Sequence, residues 1–116
     1  MTDLALRRGD VVVGVFTGDY GKPRPAVVVQ ADLFNESHDS VVVCPISSSL
    51  TGLGIFRLSV AASATNGLRS DSEVMIDEMA AVKRSRIKER IGRLSRGQIS
   101  SLDDGLRLWL NLPASS

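Results

Sequence analysis

The sequence has few of the side chains that most enzymes use for catalysis. Its 116 residues include one histidine and one cysteine, so neither an intramolecular disulfide nor a metal site with two histidines can form within the chain. It contains no glycine-rich phosphate loop and no Gly-x-Ser-x-Gly nucleophile motif. These absences exclude the common nucleotide-binding and serine-hydrolase classes, and we expect neither a metal nor another cofactor.

Long apolar runs are also absent. The longest, such as residues 11–13 and 41–44, are far shorter than the roughly 18 residues of a membrane span, and no charged-then-apolar signal segment opens the chain. We therefore expect a cytoplasmic protein with no membrane contact, folded as one domain over residues 1–116. Cys44 follows three valines and is expected to be an inert core residue. His38 lies among polar residues and is expected in an exposed loop.

Charge is unevenly distributed along the chain. The formal net charge is +1, but residues 83–96 hold seven Lys and Arg against one acidic residue, whereas residues 1–82 hold six against ten. A basic segment of this kind can bind a polyanion such as nucleic acid. It can equally be a solvated stretch that keeps the protein soluble. The direction of these side chains in the fold decides between the two interpretations.

Apolar and β-branched runs, separated by turn residues, predict about six short strands. They cover residues 11–16, 26–30, 41–46, 56–60, 73–77 and 89–94. The first two should form an antiparallel hairpin, with Gly14 marking a bulge or a close backbone approach. Two runs, 27–29 and 41–44, do not alternate, which is typical of strands covered on both faces. A barrel interior would cover one face, and a helix or a symmetric second subunit the other.

A terminal helix is predicted to begin at a capping box. Ser95 and Gln98 have the Ser-x-x-Gln spacing in which each side chain satisfies a free amide at the helix start. One apolar stripe follows at helical spacing, formed by Ile99, Leu102, Leu106 and Trp109. We expect Trp109 to anchor the helix in the core. Short helical turns are also expected at residues 33–35 and 85–87.

Arg24 is unusual because a proline flanks it on each side. Each proline fixes its own φ near about −65° and biases the preceding residue toward extended conformations. The guanidinium is therefore aimed from a restricted backbone, just where a strand is predicted to begin. Its five N–H donors match the oxygens of a phosphate or carboxylate. The sequence thus predicts an anion-binding arginine at one rim of the sheet.

Polar side chains occupy two other strand ends. Ser47 follows the third predicted strand, and Asp77 ends the fifth. Antiparallel pairing can bring such ends to the same rim as Arg24. A serine without a histidine has no evident base to make it a nucleophile. Beside an arginine, however, it can donate a hydrogen bond to a phosphate in its transition state, a form of electrostatic catalysis that needs no metal.

Four motifs, in order and at compatible spacing, resemble those of the MazF/PemK toxin family. They are Arg8-Gly9-Asp10-Val11-Val12, Gly21-Lys22-Pro23-Arg24-Pro25-Ala26-Val27-Val28-Val29, Val43-Cys44-Pro45-Ile46-Ser47-Ser48-Ser49-Leu50 and Ile91-Gly92-Arg93-Leu94-Ser95. The resemblance spans about residues 7–112. It implies a mainly β fold with a C-terminal helix, a small SH3-like β-barrel of the MazF/CcdB/Kid type that forms a homodimer. It also implies a type II toxin that cuts single-stranded RNA without a metal and is blocked by a MazE-like antitoxin.

The same resemblance assigns roles to individual residues. Arg24 takes the place of the essential arginine, and Ser47 stands where the family usually has threonine. Both would hold phosphoryl oxygens while a ribose 2′-hydroxyl attacks the adjacent phosphate. Asp77 is the candidate acid or base. The residues expected to contact RNA are Lys22, Ser48 and Glu78.

The sequence departs from the family pattern around Asp77. Some relatives carry an arginine two residues before the acidic residue, where this chain has Met75, and Glu78 replaces a common glutamine. These changes leave the general acid unidentified and allow an altered base preference or weak activity. Two alternatives stay open. One is a non-enzymatic gyrase inhibitor like CcdB, which the position of Trp109 argues against, and the other is an inactive barrel that only binds its antitoxin.

Overall fold

The computed structural model describes residues 4–16, 18 and 20–114, so Thr17 and Asp19 of the expected first hairpin loop lie outside the described residues. Its strands are β1 (Asp10–Val15), β2 (Pro23–Val28), β3 (Ser40–Ser47), β4 (Arg57–Val60), β5 (Ser72–Met75), β6 (Ala80–Lys83) and β7 (Ile87–Arg93). The helices are α1 (Asp32–Asn35) and α2 (Arg96–Leu110), with 3₁₀ turns at Ile76–Glu78 and Arg84–Arg86. Neither described helix is long and apolar enough to cross a membrane. The prediction of a mainly β fold with a C-terminal helix is confirmed.

Every strand pair is antiparallel, and β3 organises the sheet. One edge of β3 pairs with β2, while its other edge pairs first with β6 and then with β5. The main path of the sheet runs β4-β5-β3-β2-β1-β7. Among the described residues, β6 and β7 are linked by a 3₁₀ turn and not by ladder hydrogen bonds, so the sheet curls like a barrel without closing.

The strands differ from the sequence prediction in three places. The described residues form seven strands and not six, because β6 was not predicted: it is a mostly exposed edge strand with a weak strand signal. β2 begins at Pro23, so both prolines around Arg24 lie within the strand. β5 ends at Met75, which puts Asp77 and Glu78 on a 3₁₀ turn instead of a strand end.

Two apolar clusters lie on opposite faces of β1, β2 and β3. Val27 and Cys44 belong to the cluster that Leu102 and Leu106 of α2 cover. Neighbouring residues on the same strands, such as Val28, point into a second cluster inside the curled sheet. Because successive strand residues face opposite sides, this arrangement explains why the valine runs do not alternate with polar residues. The helix α2 covers the face that carries Val27 and Cys44, so the strands do not need a symmetric subunit on that face.

The start of α2 is as predicted, but the burial of Trp109 near its end is not. Ser95 Oγ accepts from the Gln98 amide at 3.1 Å, and Gln98 Oε1 accepts from the Ser95 amide at 2.8 Å, which confirms the capping box. The prediction that Trp109 is a core anchor is wrong, since its side chain is 48% exposed. Its ring packs on that of Phe56, with ring centroids 5.7 Å apart. The last turn of α2 extends beyond the part of the sheet that would bury it.

Gly14 marks both a bulge and a close approach, as predicted. The pairing of β1 with β7 shifts register between Val13 and Gly14. A Cβ atom at Gly14 would lie 2.7 Å from the backbone oxygen of Arg86, closer than carbon and oxygen can approach. Only glycine therefore fits this point of β1, beside the start of β2.

Candidate active site

Arg24 and Ser47 lie on neighbouring strands at the same end of the sheet. The ladder between β2 and β3 ends at the pair formed by Ala26 and Pro45, two residues away from Arg24 on β2 and from Ser47 on β3. Side chains two positions apart on a strand project from the same face. The arginine and the hydroxyl thus lie at the same end and on the same face of the two strands.

This pair belongs to a row of residues that crosses four strands. Gly14 on β1 pairs with Arg24, and Ser47 pairs with Glu73 on β5. Arg24 is exposed, Ser47 is half-buried and Glu73 is only 1% exposed. The row therefore runs from a cation in contact with solvent to a buried carboxylate, with the serine between them.

The hydroxyl of Ser47 has a defined local environment. Its Oγ accepts a hydrogen bond from the Ser49 amide at 3.1 Å. A serine hydroxyl has two acceptor positions and one proton, and this contact uses an acceptor position only. The proton of Ser47 can therefore be donated to an anion bound beside Arg24.

Glu73 is a site residue that the sequence analysis did not identify. Its Oε2 accepts from the amides of Thr51 and Gly52, each at 2.9 Å, and its Oε1 accepts from Thr51 Oγ1 at 2.7 Å. These hydrogen bonds, first that of Gly52 and then that of the Thr51 hydroxyl, lower the pKa of the Glu73 carboxyl despite its burial. In the sequence, the only sign of this role is that an acidic residue directly precedes the apolar run that starts at Val74.

Asp77 is held by Arg57, another residue that the sequence analysis missed. Arg57 donates from Nε to Asp77 Oδ1 at 2.7 Å and from Nη2 to Oδ2 at 3.0 Å. The hydrogen bonds from Arg57 lower the pKa of Asp77, and the same pairing raises the pKa of Arg57. Asp77 is therefore a carboxylate at neutral pH, which suits a proton acceptor and not the general acid.

Arg57 lies opposite Met75 in the ladder between β4 and β5. The cation that holds Asp77 thus comes from the strand next to β5 and not from a residue close to Asp77 in the sequence. No local pattern reveals this, because the arginine and the aspartate are far apart in the sequence.

The three residues expected to contact RNA fall in two places. Lys22 and Ser48 are exposed and flank the Arg24–Ser47 pair, one before β2 and the other after β3. Glu78 is exposed beside Arg57, whose Nη2 donates to Glu78 Oε2 at 3.0 Å. The negative charge of Glu78 suits contact with a base edge better than contact with a phosphate.

Much of the basic segment serves the fold. Arg90 and Arg93 pair with the buried Asp10 at 3.5 and 3.0 Å, and Arg84 donates to the Leu4 carbonyl at 3.3 Å. Asp10 also accepts from the Arg7 amide at 2.8 Å, so this carboxylate ties the N-terminal segment to β7. The structure therefore favours a structural role for these arginines over a continuous polyanion footprint.

Cys44 and His38 lie where the sequence predicted. Cys44 is fully buried, and burial raises the pKa of its thiol to about 12, which leaves it protonated and inert. His38 is exposed in a loop. Among the described residues, no three His, Cys, Asp or Glu side chains group as ligands for a metal ion.

Sequence comparison places the chain among known proteins. The profile of the family described as PemK-like, MazF-like toxins of type II toxin–antitoxin systems matches residues 7–110. A probable endoribonuclease MazF of Mycolicibacterium smegmatis is 34% identical over 108 residues, covering 92% of this chain and 98% of that protein. Endoribonuclease MazF9 of Mycobacterium tuberculosis is 30% identical over 94 residues, covering 77% of this chain and 79% of the relative.

Solved structures share the fold. The Mycobacterium tuberculosis toxin MazF-mt6 superposes with a TM-score of 0.78 at 22% identity, covering 90% of this chain and 99% of that one. A mycobacterial endoribonuclease solved in complex with its cognate antitoxin gives a TM-score of 0.73 at 17% identity, covering 96% and 98%. Because the family profile matches nearly the whole of this chain, the chain belongs to the PemK-like, MazF-like toxins of type II toxin–antitoxin systems.

Proposed function

We propose that this toxin is an endoribonuclease that cuts single-stranded RNA with a sequence preference and without a metal ion. The observation that carries the proposal is that Arg24 and Ser47 lie at the same end of the neighbouring strands β2 and β3. Two donors of this kind, fixed by neighbouring strands, suit the oxygens of one phosphate. The relatives described as MazF endoribonucleases support the same activity. They favour it over gyrase inhibition and over an inactive binding module.

The proposed reaction is an attack within the RNA strand. The ribose 2′-oxygen forms a bond to phosphorus while the bond from phosphorus to the 5′-oxygen breaks, leaving a cyclic phosphate and a 5′-hydroxyl. Negative charge grows on the non-bridging oxygens in the transition state. Arg24 and Ser47 donate hydrogen bonds to these oxygens, which stabilises the transition state more than the ground state.

Two protons must move in this reaction, one from the 2′-hydroxyl and one to the departing 5′-oxygen. Arg24 cannot accept the first because a guanidinium keeps its proton at ordinary pH. We propose Asp77 as the acceptor, since its pairing with Arg57 keeps it ionised. The group that protonates the 5′-oxygen is not assigned.

The substrate is proposed to be single-stranded because the 2′-oxygen must reach a position in line with the leaving oxygen. A strand free of base pairing can adopt that geometry, and its unstacked bases can be read by side chains. Lys22, Ser48 and Glu78 are proposed to contact the RNA around the cut. DNA lacks the nucleophile and should not react.

We further propose two protein partners. A MazE-like antitoxin would occupy the RNA site. A neighbour in fold was solved in complex with its cognate antitoxin, which supports a partner of this kind. A second copy of the chain would cover the exposed apolar side chains at the end of α2, which include Leu108, Trp109 and Leu110. The protein is proposed to act in the cytoplasm, where its RNA substrate lies, and residues 1–116 are proposed to form one domain.

One assay separates this function from the gyrase-inhibitor alternative. Purified protein is incubated in EDTA with a long single-stranded RNA and with DNA of the same sequence, and in parallel with DNA gyrase in a supercoiling assay. We expect the RNA to be cut, the DNA to stay intact and gyrase to work normally. Intact RNA together with inhibited gyrase would overturn the proposal.

A further inference from the structure

Glu73 is a charged residue in a place built for apolar ones. It lies within β5 beside the fully buried Val74, and its own exposure is 1%. A buried charge is costly unless hydrogen bonds replace the lost water. Replacing such a group by an apolar side chain is often neutral or stabilising. Stability of the core is therefore a poor explanation for a carboxylate at this position.

The hydrogen bonds of Glu73 all reach one segment, which we call the β3–β4 loop (residues 48–56). They come from the Thr51 amide, the Thr51 hydroxyl and the Gly52 amide. Thr51 Oγ1 in turn accepts from the Leu53 amide at 3.2 Å. The carboxylate thus fixes the middle of the loop through both of its oxygens.

Apolar packing holds residues 50–55 of this loop only weakly. Leu50, Leu53 and Ile55 are 62%, 56% and 60% exposed, so they bury little surface against the sheet. Gly52 and Gly54 have φ angles of +67° and +84°. Because glycine adopts positive and negative φ about equally well, these residues do not themselves fix the backbone of the loop. The hydrogen bonds to Glu73 are therefore the strongest described restraint on the first half of the loop.

The loop begins immediately after Ser47, and Glu73 faces Ser47 across the ladder. Ser49, inside the loop, donates to Ser47 Oγ. A change in the path of the loop would therefore move the group that orients the serine hydroxyl, as well as Ser48. Glu73 is linked in this way to the phosphate-binding pair without contacting the substrate.

We propose that Glu73 is a positioning residue, whose carboxylate holds the β3–β4 loop so that Ser47 and Ser48 face the scissile phosphate. This inference rests on the proposed ribonuclease function. It predicts that loss of the carboxylate impairs the chemical step, because misplacing a transition-state donor by a fraction of an ångström is costly. Binding of RNA through Arg24 and Lys22 should change little.

The central variant is Glu73→Gln, which keeps the size of the side chain but removes its charge and one of its two acceptor oxygens. Thr51→Val removes the two contacts of the hydroxyl, with Glu73 and with the Leu53 amide, and Thr51→Ser keeps them. Asp71→Asn is the matched control, since the exposed Asp71 accepts from the Ala62 amide at 2.8 Å, away from the loop. Each variant is measured for RNA cleavage under single-turnover conditions and for hydrogen exchange of the amides of residues 49–53.

For Glu73→Gln we expect the cleavage rate to fall at least about tenfold, with RNA affinity within about threefold of wild type. The Thr51 and Gly52 amides should exchange at least about tenfold faster, since a neutral amide oxygen is a weaker acceptor than a carboxylate oxygen. Thr51→Val should show smaller changes of the same kind, and Thr51→Ser and Asp71→Asn should resemble wild type. If Glu73→Gln does not fold, Thr51→Val carries the test.

Three results would overturn the inference. The first is cleavage of RNA at the wild-type rate by the Glu73→Gln or Thr51→Val protein. The second is unchanged protection of the loop amides in these variants. In both cases the proposed function would stand. An affinity loss as large as the rate loss would assign Glu73 to binding instead of positioning. If wild type itself fails to cut RNA, the proposed function falls and the catalytic part of this inference falls with it, whatever the exchange data show.

Discussion

Arg57 and Asp77 are joined by two parallel hydrogen bonds of 2.7 and 3.0 Å between β4 and the 3₁₀ turn after β5. Their side chains are 16% and 20% exposed, so water screens the pair less than it would at the surface. The pair fixes the orientation of the Asp77 carboxylate and keeps it charged. It supplies, from a different strand, the cation that Met75 does not provide.

If Asp77 accepts the 2′-hydroxyl proton, Asp77→Asn should lower the cleavage rate about 100-fold or more. The acid limb of the pH–rate profile should disappear with it, because an amide does not titrate in this range. Single-turnover cleavage from pH 4 to pH 8 measures both effects. Asp104→Asn is the matched control, since Asp104 pairs with Arg107 on the surface of α2 at 3.0 Å. An Asp77→Asn variant with a rate within about threefold of wild type would remove Asp77 from the mechanism.

Ser47 should be replaceable by threonine but not by alanine. Ser47→Thr keeps the hydroxyl that is proposed to donate to the phosphate, and its cleavage rate should stay within a few-fold of wild type. Ser47→Ala should lose about 100- to 1000-fold in rate, the range seen when one transition-state donor is removed. Ser49→Ala serves as control because it keeps the backbone amide that bonds Ser47. Equal rates for Ser47→Ala and Ser47→Thr would show that the hydroxyl plays no part.

Stability should fall in acid and not in base over the range from pH 3 to pH 8. The pKa values of Glu73 and Asp77 are lowered by their hydrogen bonds in the folded protein, whereas in the unfolded chain they lie near about 4. Their stabilising contribution is therefore complete above about pH 5 and is lost as pH falls through the lowered values. Urea unfolding at several pH values measures this. A free energy of unfolding that rises from pH 5 to pH 3 would contradict the assignment of these two carboxylates as ionised and bonded.

A charge at the end of α2 should break the proposed homodimer. Leu108 is 60% exposed there, and a glutamate in its place would put an unpaired charge into an apolar interface. Light scattering after size-exclusion chromatography should show a dimer for wild type and a monomer for Leu108→Glu. Leu33→Glu makes the same change on α1, at a leucine that is 80% exposed, and should remain dimeric. A monomeric wild type, or a dimeric Leu108→Glu, would show that this surface has another use.

Features with a local cause could be predicted from the sequence. The capping box at Ser95 and the hairpin of β1 and β2 depend on residues close together in the chain. Arg24 and Ser47 were identified through family motifs, and the antiparallel pairing of β2 with β3 puts them at the same end of the two strands. Strand β6 was missed because its four residues gain their structure from pairing with β3 and not from their own preference.

Features that depend on distant contacts could not be predicted. The contacts of Glu73 with Thr51 and of Arg57 with Asp77 each join segments that no periodic pattern relates. The apolar stripe of α2 identified the buried face of the helix but not the point where the sheet stops covering it. Trp109 lies past that point, which is why it is half exposed.

The most direct test of the central claim is to map the ends of the fragments that the protein makes from a mixed pool of single-stranded RNA in EDTA, beside Arg24→Ala and Arg24→Lys. Arg107→Ala, which removes an arginine from the surface of α2, is the matched control. We predict cyclic phosphate and 5′-hydroxyl ends at a preferred sequence for wild type and Arg107→Ala. Cleavage should be at least about 100-fold slower for Arg24→Ala, and also reduced for Arg24→Lys because an ammonium cannot form the paired hydrogen bonds of a guanidinium. Equal cleavage by wild type and Arg24→Ala, or fragments that carry 5′-phosphates, would contradict this account.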